Sequence, residues 1–325
     1  MRRRELITLL GGTALAWPLT AYAQQSAMPV VGFLNSAARG AYPPVSAFLK
    51  GLNEQGFVEG RNVLIEYRWA EGHYDRLPAL IADLVQRKVN VIAATSTPAA
   101  FAAKAANTAI PTVFTMGGNP VQLGFVSSLG KPGGNLTGAT TLNEEVVPKR
   151  LELMHQVLPT AINIALLVNP HDPLAEEVSR DMSAPAAALG LKLHVVRASS
   201  EQDFATVFES LTQLRAEALV IGTAAFFNSR DKELGELSLR HRMPAIYQHR
   251  PFAVAGGLMS YGGDLAESYR VAGNYVGRIL KGDKPADLPV QEVAKVEMII
   301  NLKTAKALGL KIPEPLIGRA DEVIE

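Results

Sequence analysis

The chain of 325 residues contains two similar series of predicted strands and helices, one after the other. The first series opens with the apolar run at residues 30–35, and the second opens with a comparable run at residues 164–169. Prolines and glycines then recur at corresponding positions in both series. Pro244 corresponds to Pro111 and lies 133 residues after it. This offset is too long for a solenoid repeat and suits one α/β lobe. Two similar lobes imply a cleft between them, where small ligands commonly bind.

The alternation of strands and helices predicts an α/β fold. Short apolar runs are typical of parallel strands that helices cover on both faces. Such runs lie at residues 30–34, 91–95, 112–115, 164–168 and 219–221. Helical spacing of apolar residues follows at 43–55, 74–87 and 264–281. Right-handed βαβ units in two Rossmann-like lobes, joined by a hinge around a central ligand cleft, are therefore expected.

The two lobes are predicted to exchange parts of the chain. The helix at 264–281 follows the last strand of the second lobe, and we expect it to cross back and pack on the first. Lobe one then comprises residues 28–139 plus about 262–284. Lobe two comprises residues 140–261 plus about 285–325.

The first 23 residues have the pattern of a cleavable secretory leader. Three arginines precede a mostly apolar run at 6–20, and Ala21-Tyr22-Ala23 matches a cleavage site. The run is too short and too interrupted to span a bilayer comfortably. Arg3-Arg4 also resembles a twin-arginine signal, so both export routes stay open. Because the chain has no cysteine for lipidation or disulfides, a free periplasmic protein is expected.

Composition and motifs argue against several classes of function. Without the leader the net charge is close to zero, and no basic patch indicates nucleic-acid binding. The six histidines form no metal-binding spacing. No nucleophile elbow, phosphate-binding loop or dinucleotide fingerprint occurs. We therefore expect no metal, no cofactor and no enzymatic activity, in a protein that is a monomer.

Small, mostly polar residues follow the predicted strands of the first lobe, at the edge where ligands bind in open parallel sheets. They are Asn35, Ser36, Ser96, Thr97, Pro98, Gly118, Asn119 and Thr140. Helices are predicted to begin at Pro98 and Pro120, since each proline follows a polar cap. Their free N–H groups would favour a carboxylate, to which the Ser96 and Thr97 hydroxyls could also donate. Ordinary helix capping is the alternative explanation.

Aromatic residues dominate the strand ends of the second lobe. The candidate ligand contacts there are Asn169, Thr223, Phe226, Tyr247 and Tyr261. An aromatic ring beside a cleft can stack on a ligand, although packing in the core or between the lobes is the favoured explanation for any single ring. Counting Phe227, we expect about two of the four aromatics to contact ligand.

Several ordered stretches are similar to one family of transport proteins. They include G-F-V-E-G-R-N-V at 56–63, Y-D-R-L-P at 74–78, G-N-P-V-Q-L-G at 118–124, K-P-G-G-N-L-T-G at 131–138 and N-L-K-T-A at 301–305. Over nearly its whole length the chain resembles the solute-binding proteins of ABC uptake systems, of the tryptophan/tyrosine type. The resemblance implies the type I periplasmic-binding fold.

The resemblance also implies a binding mode. Family members hold a small ligand between lobes that close by hinge bending, and residues 96–98 would receive its carboxylate. Members that take amino acids often have Asp-Pro where this chain has Asn119-Pro120. Asn119 cannot neutralise an ammonium group by charge. The ligand could therefore be an aromatic or apolar carboxylate or an amide, as well as an amino acid. Asp172 or Asp264 could supply the missing charge.

The predicted function is capture of a small solute and its delivery to an ABC permease in the inner membrane. Ligand contacts from both lobes exist together only in the closed form, so a ligand would shift the population toward closure. One alternative is a ligand sensor for a receptor kinase or chemoreceptor. Another is an exported α/β enzyme.

Overall fold

The computed structural model describes residues 28–39, 44–293 and 295–325. The predicted leader at 1–23 lies outside these residues, as does Pro43 at the start of the first predicted helix. The strands are β1 Val30–Asn35, β2 Leu64–Trp69, β3 Val91–Ala94, β4 Thr112–Met116, β5 Leu136–Thr140, β6 Asn163–Val168, β7 Lys192–Arg197, β8 Ala218–Ile221, β9 Ala245–Tyr247, β10 Met259–Gly263, β11 Gln291–Glu292, β12 Val296–Asn301 and β13 Glu322–Ile324.

The helices are α1 Val45–Glu54, α2 Leu77–Gln86, α3 Thr97–Ala105, α4 Val147–Val157, α5 Ala175–Asp181, α6 Ser183–Ala188, α7 Gln202–Gln213, α8 Ala225–Asn228, α9 Asp231–Arg240, α10 Arg250–Val254, α11 Leu265–Leu280, α12 Leu302–Leu308 and α13 Glu314–Ile317. Short 3₁₀ turns lie at Tyr74–Arg76 and Pro285–Asp287. Within the described part of the chain, none of these helices combines the length and apolar character that a membrane span requires.

The strands form two sheets, one in each half of the chain. The first sheet has the order β11-β5-β4-β3-β1-β2, and the second has the order β13-β12-β10-β9-β8-β6-β7. The pairs are parallel except for β10 with β12. Central strands such as β3 and β8 are buried at every residue because helices cover both faces. The predicted α/β fold with two Rossmann-like lobes is confirmed.

Two expectations about local structure need correction. No helix begins at Pro120; the segment 120–124 is a turn, in which Asn119 Oδ1 accepts from the N–H groups of Val121 and Gln122 at 3.0 and 3.3 Å. Gly124 has φ of 67°, which stops helical continuation after one turn. The tail also departs from the prediction, since β11 pairs with β5 of the first sheet and only β12 and β13 join the second. A two-residue strand has no periodicity that a sequence pattern can detect.

Helix α11 returns from the second sheet and packs tightly against α1 of the first. The contact depends on glycine, because a methyl group at Gly273 would lie 1.9 Å from the carbonyl oxygen of Phe48. A methyl group at Gly51 would likewise lie 1.9 Å from the carbonyl oxygen of Arg270. The two helix backbones can approach this closely only where side chains are absent.

The connections between the sheets run side by side. One is the segment from β5 to α4 and another is the junction of β10 with α11. The Gly263 N–H donates to Asn143 Oδ1 at 2.8 Å, and a methyl group at Gly263 would lie 3.2 Å from Thr141 Cβ. These adjacent crossings lie at the inner edge of the cleft and bring Asn143 and Glu144 to it.

Candidate ligand-binding site

A small cavity of about 30 Å³ lies between the two lobes, at the carboxyl ends of the parallel strands. This is room for only a few water molecules, so the lobes are close together. Its lining comprises Thr95, Ser96, Thr97, Thr115, Met116, Gly117, Thr141, Asn143, Glu144, Asp172, Thr223, Ala224, Ala225, Asn228, Gln248, His249 and Leu265.

The first-lobe wall is the N-terminus of α3. Ser96 caps this helix, and its Oγ accepts from the N–H of Ala99 at 3.3 Å. Thr97 Oγ1 accepts from the N–H of Gly117 at 3.1 Å. Each of these bonds leaves the hydroxyl proton available to donate. Together with the positive end of the helix, the two hydroxyls suit an anionic group such as a carboxylate.

Residues behind this wall hold it in place. Asn35 Nδ2 donates to the carbonyl oxygen of Thr95 at 2.6 Å and to the hydroxyl oxygen of Tyr269 at 2.8 Å. Ser36 Oγ donates to Ser96 Oγ at 2.9 Å. Since Tyr269 belongs to α11, the position of the α3 N-terminus depends on how α11 packs.

Two carboxyl groups face the cavity from other directions. Glu144 Oε2 is inaccessible to solvent and has no hydrogen-bond partner among the described residues. The carboxylate packs against Gly117, where a methyl group would lie 1.9 Å from Oε2. Burial, and then the charge of Asp172, raise the pKa of Glu144 to about 8. Burial raises the pKa of Asp172 to about 7, although Asp172 Oδ1 accepts from the N–H of Leu174 at 3.1 Å.

Arg150 lies close to these acids but is occupied elsewhere. Its side chain is fully buried on α4. It donates to the carbonyl oxygens of Tyr261 at 2.8 Å and Asn143 at 3.2 Å, and to Thr223 Oγ1 at 3.3 Å. Burial lowers its pKa to about 10, so the guanidinium is still charged at neutral pH. Arg150 thus ties the crossing segment to the second lobe.

The second-lobe wall consists of amide and imidazole groups. Asn228 Oδ1 accepts from the side-chain amide of Gln248, from the Tyr247 hydroxyl at 2.5 Å and from His249 Nε2 at 3.1 Å. Because Oδ1 can only accept, the ring proton of His249 is assigned to Nε2. Burial, and then the charge of Arg150, lower the pKa of His249 to about 3. The imidazole is therefore neutral at physiological pH.

The structure brings three of the sequence-predicted residues to the cavity wall: Ser96, Thr97 and Thr223. Others lie behind it or beside it. Asn35 and Ser36 support the α3 N-terminus, and Pro98 is buried within α3. Thr140 donates to the carbonyl oxygen of Gly118 at 2.8 Å, and Asn169 Oδ1 accepts from the N–H of His171 at 2.9 Å. Gly118 and Asn119 line a neighbouring groove of about 260 Å³, which also reaches Glu144.

The predicted aromatic contacts do not line this cavity. Phe226 and Tyr247 are 5% and 0% exposed and belong to a core cluster of the second lobe. The Phe226 ring packs at 5.6 Å from Phe227 and 5.7 Å from Phe204. Tyr261 packs against the other core cluster of that lobe. In this arrangement each ring packs against core residues, as the alternative explanation of core packing expects.

Sequence reasoning missed Glu144, Asn143, Asn228 and the roles of Gln248 and His249. Glu144 lies four residues beyond β5, past the residues that directly follow the strand. Gln248 and His249 directly follow β9, so a strand-end signal for them exists. Asp172, named as a possible source of negative charge, does line the cavity. Asp264 instead caps α11, where it accepts from the N–H of Glu267 at 3.1 Å.

A further hydrogen bond between the lobes involves the start of α8. The N–H of Phe226, in the first turn of α8, donates to the Tyr74 hydroxyl at 2.9 Å. Among residues 28–39, 44–293 and 295–325 there is no cluster of three or more His, Asp or Glu that could hold a metal ion. The polar groups that line the cleft are hydroxyls, amides, a neutral imidazole and two carboxyl groups.

Comparison with known proteins gives consistent matches. The family model described as "ABC transporter substrate binding protein" matches residues 29–324. A tyrosine-binding protein from Clostridioides difficile (strain R20291) is 27% identical over 264 residues, which are 81% of this chain and 76% of that protein. Two solved structures share the fold over 91% of this chain and 99% of theirs. An ABC domain in complex with L-Trp from Streptococcus pneumonia has a TM-score of 0.78 at 23% identity. The ligand-free, open structure of a substrate binding protein from Clostridium difficile has a TM-score of 0.61 at 24% identity.

Proposed function

Because this chain belongs to the ABC transporter substrate binding protein family, we propose that it captures an α-amino acid between its lobes for an ABC permease. The role in solute uptake is inferred from the family. The class of ligand is inferred from the chemistry of the cleft. The amino acid would bind as a zwitterion, with its two charged groups held by different parts of the chain.

The unpaired carboxylate oxygen of Glu144 is the observation on which the proposal depends. Ionisation of the Glu144 carboxyl group in this site is costly, which keeps it protonated below about pH 8, and an ammonium group would remove most of that cost. Asp172 adds a second acidic group beside it, which becomes negatively charged above about pH 7. Two acids in one cavity, with the nearby Arg150 engaged by carbonyl groups, favour a positively charged ligand group. These acids supply the charge that Asn119 lacks.

The opposite end of an amino acid suits the first-lobe wall. Ser96 and Thr97 can donate two hydroxyl protons to a carboxylate at the N-terminus of α3. The amide groups of Asn228 and Gln248 are near enough to complete the polar surroundings. The tyrosine-binding relative and the tryptophan complex both concern amino acids, which supports this class of ligand.

Ligand binding would stabilise the closed arrangement of the lobes. Contacts to Ser96 and Thr97 come from the first lobe, and contacts to Asp172, Asn228 and Gln248 come from the second. The likeness to the tryptophan complex is greater than to the open ligand-free relative, which supports a closed arrangement here. Since both sets of contacts form only on closure, ligand shifts the equilibrium toward the closed form.

The proposal extends to organisation and location. Lobe one would comprise residues 28–139 plus about 262–293, because β11 pairs within the first sheet. Lobe two would comprise residues 140–261 plus about 295–325. The family works with ABC permeases outside the cytoplasm, and the leader at 1–23 would direct this protein to the periplasm. It would act there as a monomer, without nucleic acid and without chemical change to the ligand.

Removal of the two hydroxyls at the α3 N-terminus should weaken binding of an amino acid. For the double variant Ser96→Ala/Thr97→Ala we expect a loss of about 1–3 kcal/mol in binding free energy, the scale of charge-assisted hydrogen bonds. Calorimetric titration with L-tyrosine measures this loss. Thr97→Ser keeps the hydroxyl and serves as the matched control, with near wild-type affinity expected. Unchanged affinity in the double variant would exclude this wall as the carboxylate site.

A further inference from the structure

Tyr74 is a first-lobe residue that packs against the second lobe. It opens the 3₁₀ turn before α2, and its hydroxyl oxygen accepts from the N–H of Phe226 at 2.9 Å. Its ring packs against two hydrophobic clusters, one around α2 and α3 in the first lobe and one around α7 and α8 in the second. Among the partly buried hydrophobic residues of the described chain, Tyr74 alone packs against a cluster of each lobe.

The segment that carries Tyr74 is fixed to the end of β1. The N–H of Ala70 donates to the Asn35 carbonyl oxygen at 2.9 Å, and the N–H of Gly72 donates to the Ser36 carbonyl oxygen at 2.9 Å. Gly72 has φ of 83°, a left-handed conformation that glycine adopts without strain. Because the backbone before Tyr74 is already held, little conformational freedom is lost when the ring contacts the second lobe.

The second-lobe partner is the first turn of α8, where the N–H groups have no acceptor within the helix. Ala224, which precedes α8, makes no side-chain cap bond, and the Tyr74 hydroxyl oxygen accepts one of these N–H groups from the other lobe. Two residues after Phe226, Asn228 lines the central cavity, whereas Tyr74 is not one of its lining residues. The contact is therefore linked to the ligand site through α8 without being part of it.

The Tyr74 contacts stabilise the closed arrangement without help from a ligand. Both partners belong to the chain, and they meet only when the lobes are together. Burial of an aromatic ring against a second apolar surface and a hydrogen bond shielded from water both favour closure. The hydrogen bond alone changes the ratio of closed to open molecules by about two- to tenfold.

We propose that Tyr74 is a latch, a residue whose contacts with Phe226 and the second-lobe cluster hold the lobes together before a ligand binds. This role does not depend on the identity of the ligand, so it is separate from the choice of an amino acid. Only the closed form makes the ligand contacts of both lobes. A larger closed population therefore raises the apparent affinity for any ligand that fits the cleft.

The test measures the distance between the lobes in the full mature chain, after exhaustive dialysis and without added ligand. The chain contains no cysteine, so Gln86→Cys on α2 and Gln213→Cys on α7, both at exposed positions, can each carry one nitroxide label. Pulsed electron paramagnetic resonance gives the ratio of short to long distances, which is the ratio of closed to open molecules. Tyr74→Phe keeps the ring and should lower this ratio by about two- to tenfold. Tyr74→Ala also removes the packing and should lower it further.

Tyr67→Phe is the matched control. Tyr67 is also partly buried, and its hydroxyl donates to Glu59 Oε2 at 3.2 Å within the first lobe, so its loss should leave the ratio unchanged. A fall in the Tyr74 variants alone supports the latch. A wild-type protein with only the long distance, an unchanged ratio in both Tyr74 variants, or an equal fall in Tyr67→Phe overturns it. Each of these results is independent of the proposed ligand, which is tested by titration.

Discussion

The Glu144→Gln variant should bind an amino acid far more weakly than the wild-type protein. Loss of one partner from a buried charge pair costs about 2–4 kcal/mol, which corresponds to a roughly 30- to 1000-fold increase in Kd. Glutamine keeps the size of the side chain against Gly117, so the cavity shape is preserved. Calorimetric titration with L-tyrosine at a pH above 8 measures the loss. Glu145→Gln is the control, because this neighbour is exposed and does not line the central cavity.

The same carboxyl group should make binding depend on pH. In the ligand-free protein Glu144 is protonated below about pH 8, and an ammonium ligand must displace that proton. Affinity should therefore rise with pH by up to about tenfold per unit until Glu144 ionises, and Glu144→Gln should reduce this slope. Asp172, Glu145 and Arg150 are the other charged groups that act on Glu144. A pH-independent affinity between pH 6 and 8 would contradict the role of Glu144.

The stability of the ligand-free protein should change in the opposite direction. The pKa of Glu144 rises from an ordinary value of 4.5 to about 8 on folding, so the folded state binds more protons than the unfolded state between these values. The free energy of unfolding consequently falls as the pH rises through this window. In urea unfolding experiments, the free energy of unfolding should be lower at pH 8 than at pH 5.5. This difference should be smaller in Glu144→Gln than in the wild type.

Gly273→Ala should destabilise the protein strongly. The added methyl group would lie 1.9 Å from the Phe48 carbonyl oxygen, so α11 must move away from α1. Overpacking against backbone costs about 3 kcal/mol, which exceeds the gain of about 1 kcal/mol from the helix propensity of alanine. Urea unfolding measures the difference. A methyl group at Gly134 would have nothing within 4 Å, so Gly134→Ala is the control and should be close to wild type.

This substitution also tests how the fold positions the site. Tyr269, one turn before Gly273 on α11, donates to the Thr95 carbonyl oxygen at 2.5 Å. Displacement of α11 should therefore disturb the α3 N-terminus and weaken ligand binding in protein that still folds. A Gly273→Ala variant with wild-type stability would show that α1 and α11 do not need to approach so closely.

Sequence patterns predicted the fold well because its signals are local. Buried strands such as β3 and β8 are continuous apolar runs, and α11 has a clear amphipathic period. The edge strands β2 and β7 are partly exposed and interrupted by charged residues, so they lack such a run. The turn after Asn119 has the same capping residues as a helix N-terminus, so the sequence pattern predicts a helix where the structure has a turn.

The site was predicted only in part because it depends on distant contacts. The strand-end argument identifies where Ser96, Thr97 and Thr223 lie. It does not identify which neighbouring side chain faces the cleft, and at the end of β9 the structure directs Gln248 to the cavity and Tyr247 to the core. The burial of Glu144 depends on Gly117, which is 27 residues earlier in the chain. No local pattern carries that information.

A comparison of one amino acid with its two truncated analogues tests the central claim most directly. L-tyrosine carries both charged groups, whereas 3-(4-hydroxyphenyl)propionate lacks the ammonium group and tyramine lacks the carboxylate. Calorimetric titration of the wild-type protein should show the tightest binding for tyrosine, with each analogue weaker by at least about tenfold, the value of one charge-assisted contact. Equal affinity for tyrosine and for the analogue without the ammonium group would contradict the account.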